Sequence, residues 1–552
     1  MAQETLTPED SDLDVIIVGM GPVGKMAALL LGRAGHSVLV VERKTSTYPL
    51  PRAVAHDAEI ARLLQAAGMP VDSVPDAVEP YDDMYVWVNA QRETLHQVDW
   101  TGIDPSGWNN TYFYNQPALE SHLEERMRSQ ASVSVLRGVV AEVQGQDDAG
   151  ADVRLIPVDG SPATVVRGRY VLGADGANSA TRQAMGIEWN DLGYFFDWLV
   201  VDVVPQPEVE VTHLALQICD PVRPTTVVPG GPGRRRWEFM RLEGESVESL
   251  TQPARIWEML APFGVTAENS ELERGVVYTF NSGWASHWRS GRTFLLGDAA
   301  HLMPPFAGQG LAAGFRDCLN LTWKLDLVLR GFADDELLDS YASERMTHVS
   351  DFIAFSMELG KIICIVDPEQ ARRRDEAMIA DLASGRTPEP PPAPRLGGDN
   401  DEGVHTGRHG GVLSRQGYVR TRTNPEPTRF DDVFGAGALI LRDASVAARL
   451  DAAARDGLQE RGIAVVALGG SEEDGAFIDV NGTYGSWFDE WDVDAVLVRP
   501  DFYVYGTVSR EIDSAADGVR DLVRSFLART GTASSEPRLD APAREPGDPV
   551  HV

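Results

Sequence analysis

Residues 14–43 read DVIIVGMGPVGKMAALLLGRAGHSVLVVER. A β-branched apolar run at 15–18 passes through Gly19-Met20-Gly21-Pro22-Val23-Gly24, continues with helical spacing to Ala34, and gives way to a second apolar run at 37–41 that ends on Glu42. Strand, glycine turn, helix and strand within about thirty residues form the βαβ context that gives a GxGxxG spacing its meaning. Gly19 permits the tight turn, Gly21 lets the backbone approach a pyrophosphate, and Gly24 lets the helix lie close to the strand. Open amides at the helix start, reinforced by the helix dipole, then meet the phosphates. Glu42, with Arg43 after it, suits a ribose 2′-hydroxyl and would repel a 2′-phosphate.

At 552 residues the chain exceeds what one core supports, and two or three domains are expected. It carries 83 Asp and Glu against 49 Lys and Arg, a formal net charge of -34 that argues against a nucleic-acid surface. Solubility accounts for such acidity without a functional role. Cys219, Cys318 and Cys364 are far apart and show no CxxC or metal-ligand spacing, which points to a reducing, cytoplasmic setting and no metal site. Residues 1–12 are polar and acidic and do not read as a signal peptide. With no run of about 18 apolar residues, no membrane span is expected.

Beyond the first unit, TYPLPRAVAHDAEI (47–60) is held extended by Pro49 and Pro51, and places Arg52 before a helix predicted from about 57 to 67. A cation there can reach back to the pyrophosphate. Residues 83–100 alternate like strands, 112–127 predict a helix with Asn115-Gln116-Pro117 at its entrance, and 133–158 read as a β-meander. In RYVLGADGANSATRQAMGI (169–187) a strand enters Gly173-Ala174-Asp175-Gly176, an Asp-Gly turn that brings a carboxylate and backbone amides to one place. Residues 195–290 are dominated by strand-like runs, a mostly antiparallel sheet suited to walling a substrate pocket. A strand at 293–296 then leads to Gly297-Asp298, a proline-bent loop containing Pro304, and Gly308-Gln309-Gly310 at the start of a long amphipathic helix.

Residues 384–411 are rich in Pro and Gly with little to bury and read as a linker or a long surface excursion. A smaller α/β unit follows, with strands at 438–441, 463–468 and 476–480, a hairpin of 495–498 with 503–508, and helices near 448–460 and 513–529. The last 20 or so residues read as disordered.

Three separated signatures, GMGPVG, GADGANSATR and RTFLLGDAAHLMPPFAGQGLAAGFRDCLNLTWKL, together resemble the single-component FAD-dependent aromatic hydroxylases built on the p-hydroxybenzoate hydroxylase fold. The similarity spans roughly residues 12–365. Shorter runs, YPLPRAVAHDAEI, ICDPVRPTTVVP, RRWEFM, VVYTFNS and VLVRPDFYVYG, are most similar to the branch containing 3-(3-hydroxyphenyl)propionate hydroxylase. The resemblance implies an α/β protein in three parts. A hydroxylase core occupies 12–383, with a Rossmann-type FAD-binding domain (12–75, 108–188, 290–383) and an inserted, mostly antiparallel substrate domain (76–107, 189–289). The linker 384–411 leads to a thioredoxin-like domain (412–531) without cysteines, structural or at the interface of a homodimer, and a disordered tail (532–552).

By the same resemblance, Gly19, Gly21, Pro22 and Gly24 would hold the FAD pyrophosphate and Glu42 with Arg43 the adenosine ribose; Arg52 and Gln116 would contact the pyrophosphate and ribityl region. Asp175 and Gly176 would serve FAD and NAD(P)H, Gly297 and Asp298 the ribityl chain, and Pro304, Gly308, Gln309 and Gly310 the flavin ring. No second GxGxxG is present, so a separate pyridine-nucleotide domain is not expected; the resemblance implies that NADH or NADPH visits transiently.

The implied reaction takes O2 and a small aromatic substrate and ortho-hydroxylates a phenolic acid through a flavin hydroperoxide, the cofactor carrying the hard step. The branch implies 3-(3-hydroxyphenyl)propionate or 3-hydroxycinnamate, converted to the 2,3-dihydroxy product. The protein must exclude water and raise electron density on the phenol. Asp57 and Tyr278 fall where the phenol hydroxylase branch places a catalytic aspartate and tyrosine, with His56 a relay; Asp57 equally suits a helix cap and Tyr278 a core strand. Arg223 and Arg236 are candidates for a substrate carboxylate. His301 reads as a packing and hydrogen-bonding residue. Alternatives are a hydroxylase of larger polyketide or antibiotic substrates on the same fold and, outside enzymes, a flavin-binding regulator. A flavin halogenase is disfavoured because WxWxIP is missing.

Overall fold

The computed structural model of the protein describes residues 13–47, 49–193, 196–386, 395–397, 403–469, 475–510 and 514–531. Residues 387–394 and 398–402 of the linker and the C-terminal tail 532–552 lie outside the described residues.

The strand Leu13–Val18 runs through the centre of the first sheet, parallel to Val38–Glu42 on one side and to Thr164–Gly173 on the other. Its residues 15–18 are buried on both faces, which is why the run is continuously apolar rather than alternating. The helix Pro22–Arg33 packs on one face against the long helix Gly310–Leu329 and against Gln116–Arg128. Thr293–Leu295 extends the sheet parallel to Thr164–Gly173, so its carboxyl end, carrying Asp298, opens beside the first glycine turn.

Two expected elements differ. Residues 111–114 form a strand, Thr111–Tyr114, in a small sheet with Ala55–Asp57 and Val78–Tyr81, and the helix begins only at Gln116 with the Asn115 side chain accepting from Ala118 N. Aromatic residues that read as the start of a helix are here fully buried on a strand, a tertiary choice that local pattern does not reveal. The meander at 133–158 is split: Val133–Arg137 joins the parallel sheet beside Val38–Glu42, while Val139–Asp147 and Gly150–Pro157 form a hairpin.

The second layer is a seven-stranded sheet ordered Ser270–Phe280, Phe196–Pro205, Arg235–Met240, Thr225–Pro229, Ala215–Ile218, Met84–Val88, Thr94–Asp99. Every pairing in it is antiparallel except Ala215–Ile218 with Met84–Val88. One face packs on the helix Pro253–Leu260 through Leu199, Val201, Trp237 and Phe239. The other face meets the first sheet's side of the molecule, Arg236 donating to the Arg52 carbonyl and Trp198 packing on Phe306.

The C-terminal unit has Gly437–Leu441 parallel to Ile463–Leu468, which is parallel to Ala476–Asp479, and an antiparallel hairpin of Val493–Val498 with Val504–Ser509, the arrangement expected of a thioredoxin-like unit. It is docked by buried charge: Arg499 donates to Glu344 at 2.7 and 2.8 Å, Lys324 donates to Glu344 at 2.8 Å, and Trp323 and Asn320 donate to Asp501 at 3.2 Å. Burial lowers the Lys324 ammonium to about 8 against the pull of Glu344. Among the described residues, no helix is long and apolar enough to cross a membrane.

Candidate functional site

A cleft of about 550 Å³ opens along the carboxyl ends of the parallel strands. Gly19, Gly21, Pro22, Glu42, Arg43, Arg52, Gln116, Asp175, Gly176, Asp298, Gly310 and Tyr278 line it, drawn from segments more than 250 residues apart. Gly24, Gly297, Pro304, Gly308 and Gln309 are not among its lining residues.

The glycine turn divides its labour as the spacing predicts. Gly19 sits at φ +102, and a Cβ there would lie 2.4 Å from the Ala174 carbonyl oxygen; a Cβ at Gly24 would lie 2.1 Å from the Gly19 carbonyl oxygen. Those two glycines are demanded by the protein's own packing. Gly21 is different: its backbone is ordinary extended and a Cβ would meet no protein atom within 4 Å, so its bare backbone serves whatever fills the cleft. The helix that follows has no side-chain cap and no acidic residue in its first turn, leaving its amides to an anion.

Glu42 closes the second strand with both oxygens engaged, accepting from Met20 N at 2.9 Å and Lys44 N at 2.8 Å, which fixes its carboxylate at the mouth of the turn. Gln116 is a clamp: its Oε1 accepts from Arg52 N and Ala53 N at 2.8 and 2.9 Å while its Nε2 donates to Glu120, itself held by the buried Lys25. Asp175 spends its carboxylate on Ser179 and Thr181, at 2.5 to 3.0 Å, so it shapes the Gly176 turn and leaves backbone groups to face the cleft. Asp298 faces the cleft and accepts no hydrogen bond from a described side chain or amide; burial raises its carboxyl, opposed by the charges of Arg52 and His301. A desolvated acceptor beside an anion-binding turn fits a polyhydroxylated chain joined to a pyrophosphate, as FAD presents.

Lys44, Ser46, Thr47, Arg137 and Asn178 also line the cleft and were not singled out from the sequence. Arg137 comes from the strand beside Glu42, and no motif marks it.

The catalytic candidates separate. Tyr278 lines the cleft, with the Arg274 guanidinium 4.5 Å above its ring. Asp57 does not: it caps the helix Ala58–Ala66 by accepting from Ile60 N at 3.2 Å, and its other oxygen accepts from Arg316 at 2.5 Å and Gln309 at 3.2 Å. Burial pushes its carboxyl up, but the Arg316 charge and hydrogen bond and the Ile60 amide carry it below the ordinary value. Arg316 also donates to Glu59 at 2.6 Å and Gln309 at 2.8 Å, and Tyr503 of the C-terminal unit donates to Glu59 at 2.7 Å. Asp57 therefore belongs to a network that anchors the Gln309 turn at the head of the long helix. His56 is buried between Tyr112 and Tyr114, ring centroids at 5.1 and 5.5 Å, and burial lowers its pKa, so it stands neutral. His301 hydrogen-bonds Asp317 at 2.7 Å and packs on Trp288, the packing role expected.

The two arginines proposed for a substrate carboxylate are held by protein carboxylates. Arg223 pairs with both oxygens of Glu245 at 2.6 Å. Arg236 is fully buried, donates to Asp202 at 2.7 and 2.9 Å, and reaches the Arg52 and Pro51 carbonyls at 2.8 and 3.2 Å. It ties the seven-stranded sheet to the loop that carries Arg52. The Pro304–Gly308 loop is tied to the same sheet, with Phe306 packed between Trp198 and Phe280 at 5.7 and 5.8 Å.

A family described as FAD binding domain matches residues 12–356, and one described as HcaD C-terminal domain matches 411–522. A Rhodococcus jostii (strain RHA1) protein named probable NADH-specific resorcinol 4-hydroxylase is 38% identical over 93% of this chain and 94% of its own. A 3-(3-hydroxy-phenyl)propionate/3-hydroxycinnamic acid hydroxylase of Mycobacterium sp. (strain KMS) is 33% identical over 93% of this chain and 92% of its own. In fold, the chain is similar to aklavinone-11 hydroxylase, solved with FAD and aklavinone, at TM-score 0.74 and 24% identity over 94% of this chain and 99% of that one.

Proposed function

Because the chain belongs to the FAD binding domain family and is a flavin-dependent aromatic hydroxylase, we propose that it acts on a small phenol carrying a second ring hydroxyl, of the resorcinol class. The observation that carries this reading is that the two arginines the sequence offers for a substrate carboxylate, Arg223 and Arg236, are already bound by Glu245 and Asp202. The overall reaction balances as phenol, NAD(P)H, a proton and O2 giving the ortho-diol, NAD(P)+ and water.

Bound FAD supplies the redox chemistry, taking up hydride equivalents and activating dioxygen for attack on an electron-rich ring carbon. The chain's part is to bind, orient and keep dry. Gly21 and the helix behind it receive the pyrophosphate, Asp298 accepts from the ribityl hydroxyls, and Glu42 takes the adenosine ribose. Tyr278, at the junction of cleft and substrate sheet, orients the phenol. Trp198, Phe280 and Phe306 close an apolar wall against water. Asp57, through Arg316 and Gln309, holds the turn at the ring end of the cleft, a positioning role beside the catalytic one implied by resemblance.

A second reading, hydroxylation of 3-(3-hydroxyphenyl)propionate or 3-hydroxycinnamate, is supported by the relatives of that name. It requires a cation for the side-chain carboxylate. The test measures NADH and NADPH oxidation with product identification. Resorcinol should stimulate oxidation and yield 1,2,4-trihydroxybenzene. Stimulation by the phenylpropionate alone, with a 2,3-dihydroxy product, would replace the resorcinol reading.

A further inference from the structure

One row of side chains crosses the cofactor-facing side of the seven-stranded sheet. Val276, Val200, Glu238, Thr226 and Gln217 are paired residue to residue across five adjacent strands and so project from the same face. The rows on either side of it touch the cofactor half of the molecule: Arg236 bonds the Arg52 carbonyl, and Trp198 packs on Phe306. Successive rows on one face are about 7 Å apart, so this row fronts the space between them.

Glu238 is the unusual member. It lies at mid-sheet, yet its side chain keeps 15% exposure, and its ion-pair contact is Arg236 Nη1 at 3.6 Å, beyond hydrogen-bond reach. Four of the Arg236 hydrogen bonds already go to Asp202 and to the Pro51 and Arg52 carbonyls, and the Glu238 carboxylate accepts no hydrogen bond from a described residue. Burial raises its pKa, opposed by Arg236. Beside it two hydroxyls turn their hydrogens to one acceptor. Thr226 Oγ1 donates to Gln217 Oε1 at 2.7 Å, Tyr85 Oη points to the same oxygen at 3.4 Å, and Gln217 Nε2 donates to the Thr225 carbonyl at 3.2 Å. With those hydrogens spent inside the cluster, what Thr226, Tyr85 and Glu238 offer outward is lone pairs.

We propose that Glu238, with Thr226 and Tyr85, is the acceptor end of the substrate chamber, binding a ring hydroxyl remote from the carbon that is hydroxylated and excluding a carboxylate at that position. The proposal rests on the resorcinol-class reading and names the residue that enforces it. A phenolic O–H is a donor and satisfies the cluster. A carboxylate is acceptor only and would face Glu238 with like charge and no hydrogen to share.

The test uses the FAD-loaded enzyme and the change in the oxidised flavin spectrum on titration with resorcinol, phenol and 3-(3-hydroxyphenyl)propionate. In the wild type, resorcinol should bind roughly 10- to 100-fold tighter than phenol, the value of one hydrogen bond to a charged acceptor. Glu238→Leu should bring the two within about threefold, and Glu238→Gln, which keeps shape and removes charge, should bind the phenylpropionate at least about tenfold tighter than the wild type does. FAD content equal to wild type certifies each variant as folded. A resorcinol-to-phenol ratio that survives in Glu238→Leu overturns the assignment of Glu238 while leaving the resorcinol reading intact. A wild type that responds to the phenylpropionate and not to resorcinol overturns both.

Discussion

Replacing Gly21 by alanine separates what the fold needs from what the cofactor needs. The position has φ -73° and ψ -177°, extended backbone open to any residue, and the added Cβ meets no protein atom within 4 Å. The apo variant should therefore fold, and gain about 0.4–1 kcal/mol because its unfolded chain loses freedom. With FAD the sign reverses. Displacing the pyrophosphate from even one charge-assisted amide bond costs about 1.5–3 kcal/mol, on the order of 100-fold in affinity. At FAD equal to 100 times the wild-type Kd, the ligand contributes about 2.7 kcal/mol to the wild type and about 0.4 kcal/mol to a variant bound 100-fold more weakly. The holo variant should then be less stable by roughly 1.3–1.9 kcal/mol, although its apo form is the more stable. Denaturant melts of apo and FAD-loaded protein, with FAD fluorescence quenching for Kd, read both signs. A Gly21→Ala protein with wild-type FAD affinity would refute the placement of the pyrophosphate at this turn, and one that fails to fold as apoprotein would refute the claim that the fold does not need the glycine.

Three further outcomes are expected. Asp298→Ala should lower FAD occupancy on purification, read as the ratio of flavin to protein absorbance; full occupancy contradicts the ribityl assignment. Asp57→Asn keeps a good helix cap but removes the charge that pairs with Arg316, so FAD should stay bound, stability should fall by about 1.5–3 kcal/mol, and hydroxylation should slow; unchanged turnover removes Asp57 from the mechanism. The hydrogen bonds from Arg223 lower the Glu245 carboxyl from 4.5 to about 2, so the pair stabilises the fold above the ordinary carboxyl range and that contribution is lost as pH falls from 4.5 toward 2. Glu245→Gln should flatten the acid limb of the stability curve in that window, and an unaltered limb would show the pair contributes nothing.

The βαβ unit was legible because its signals are local: a doubly buried strand, glycines at fixed offsets and an acidic strand end act within thirty residues, and the structure returns each at its place. Asp298 and Tyr278 were legible by resemblance and line the same cleft. Arg223 and Arg236 show where reading along the chain stops. An arginine on or beside a strand carries the same local signature whether it awaits a ligand or is saturated, and the partners, Glu245 and Asp202, stand 22 and 34 residues away. Arg137 and the Tyr503–Glu59 contact are set by packing alone.

By itself the sequence determined the kind of protein this is, because turn geometry, helix polarity and strand burial follow from residues close together in the chain. Which buried charges are spent and which stay open was decided only by tertiary structure. The state of a buried carboxylate or guanidinium depends on the neighbours the fold brings within hydrogen-bond reach, and at Glu238 those neighbours come from strands that start at Met84, Ala215, Thr225 and Arg235.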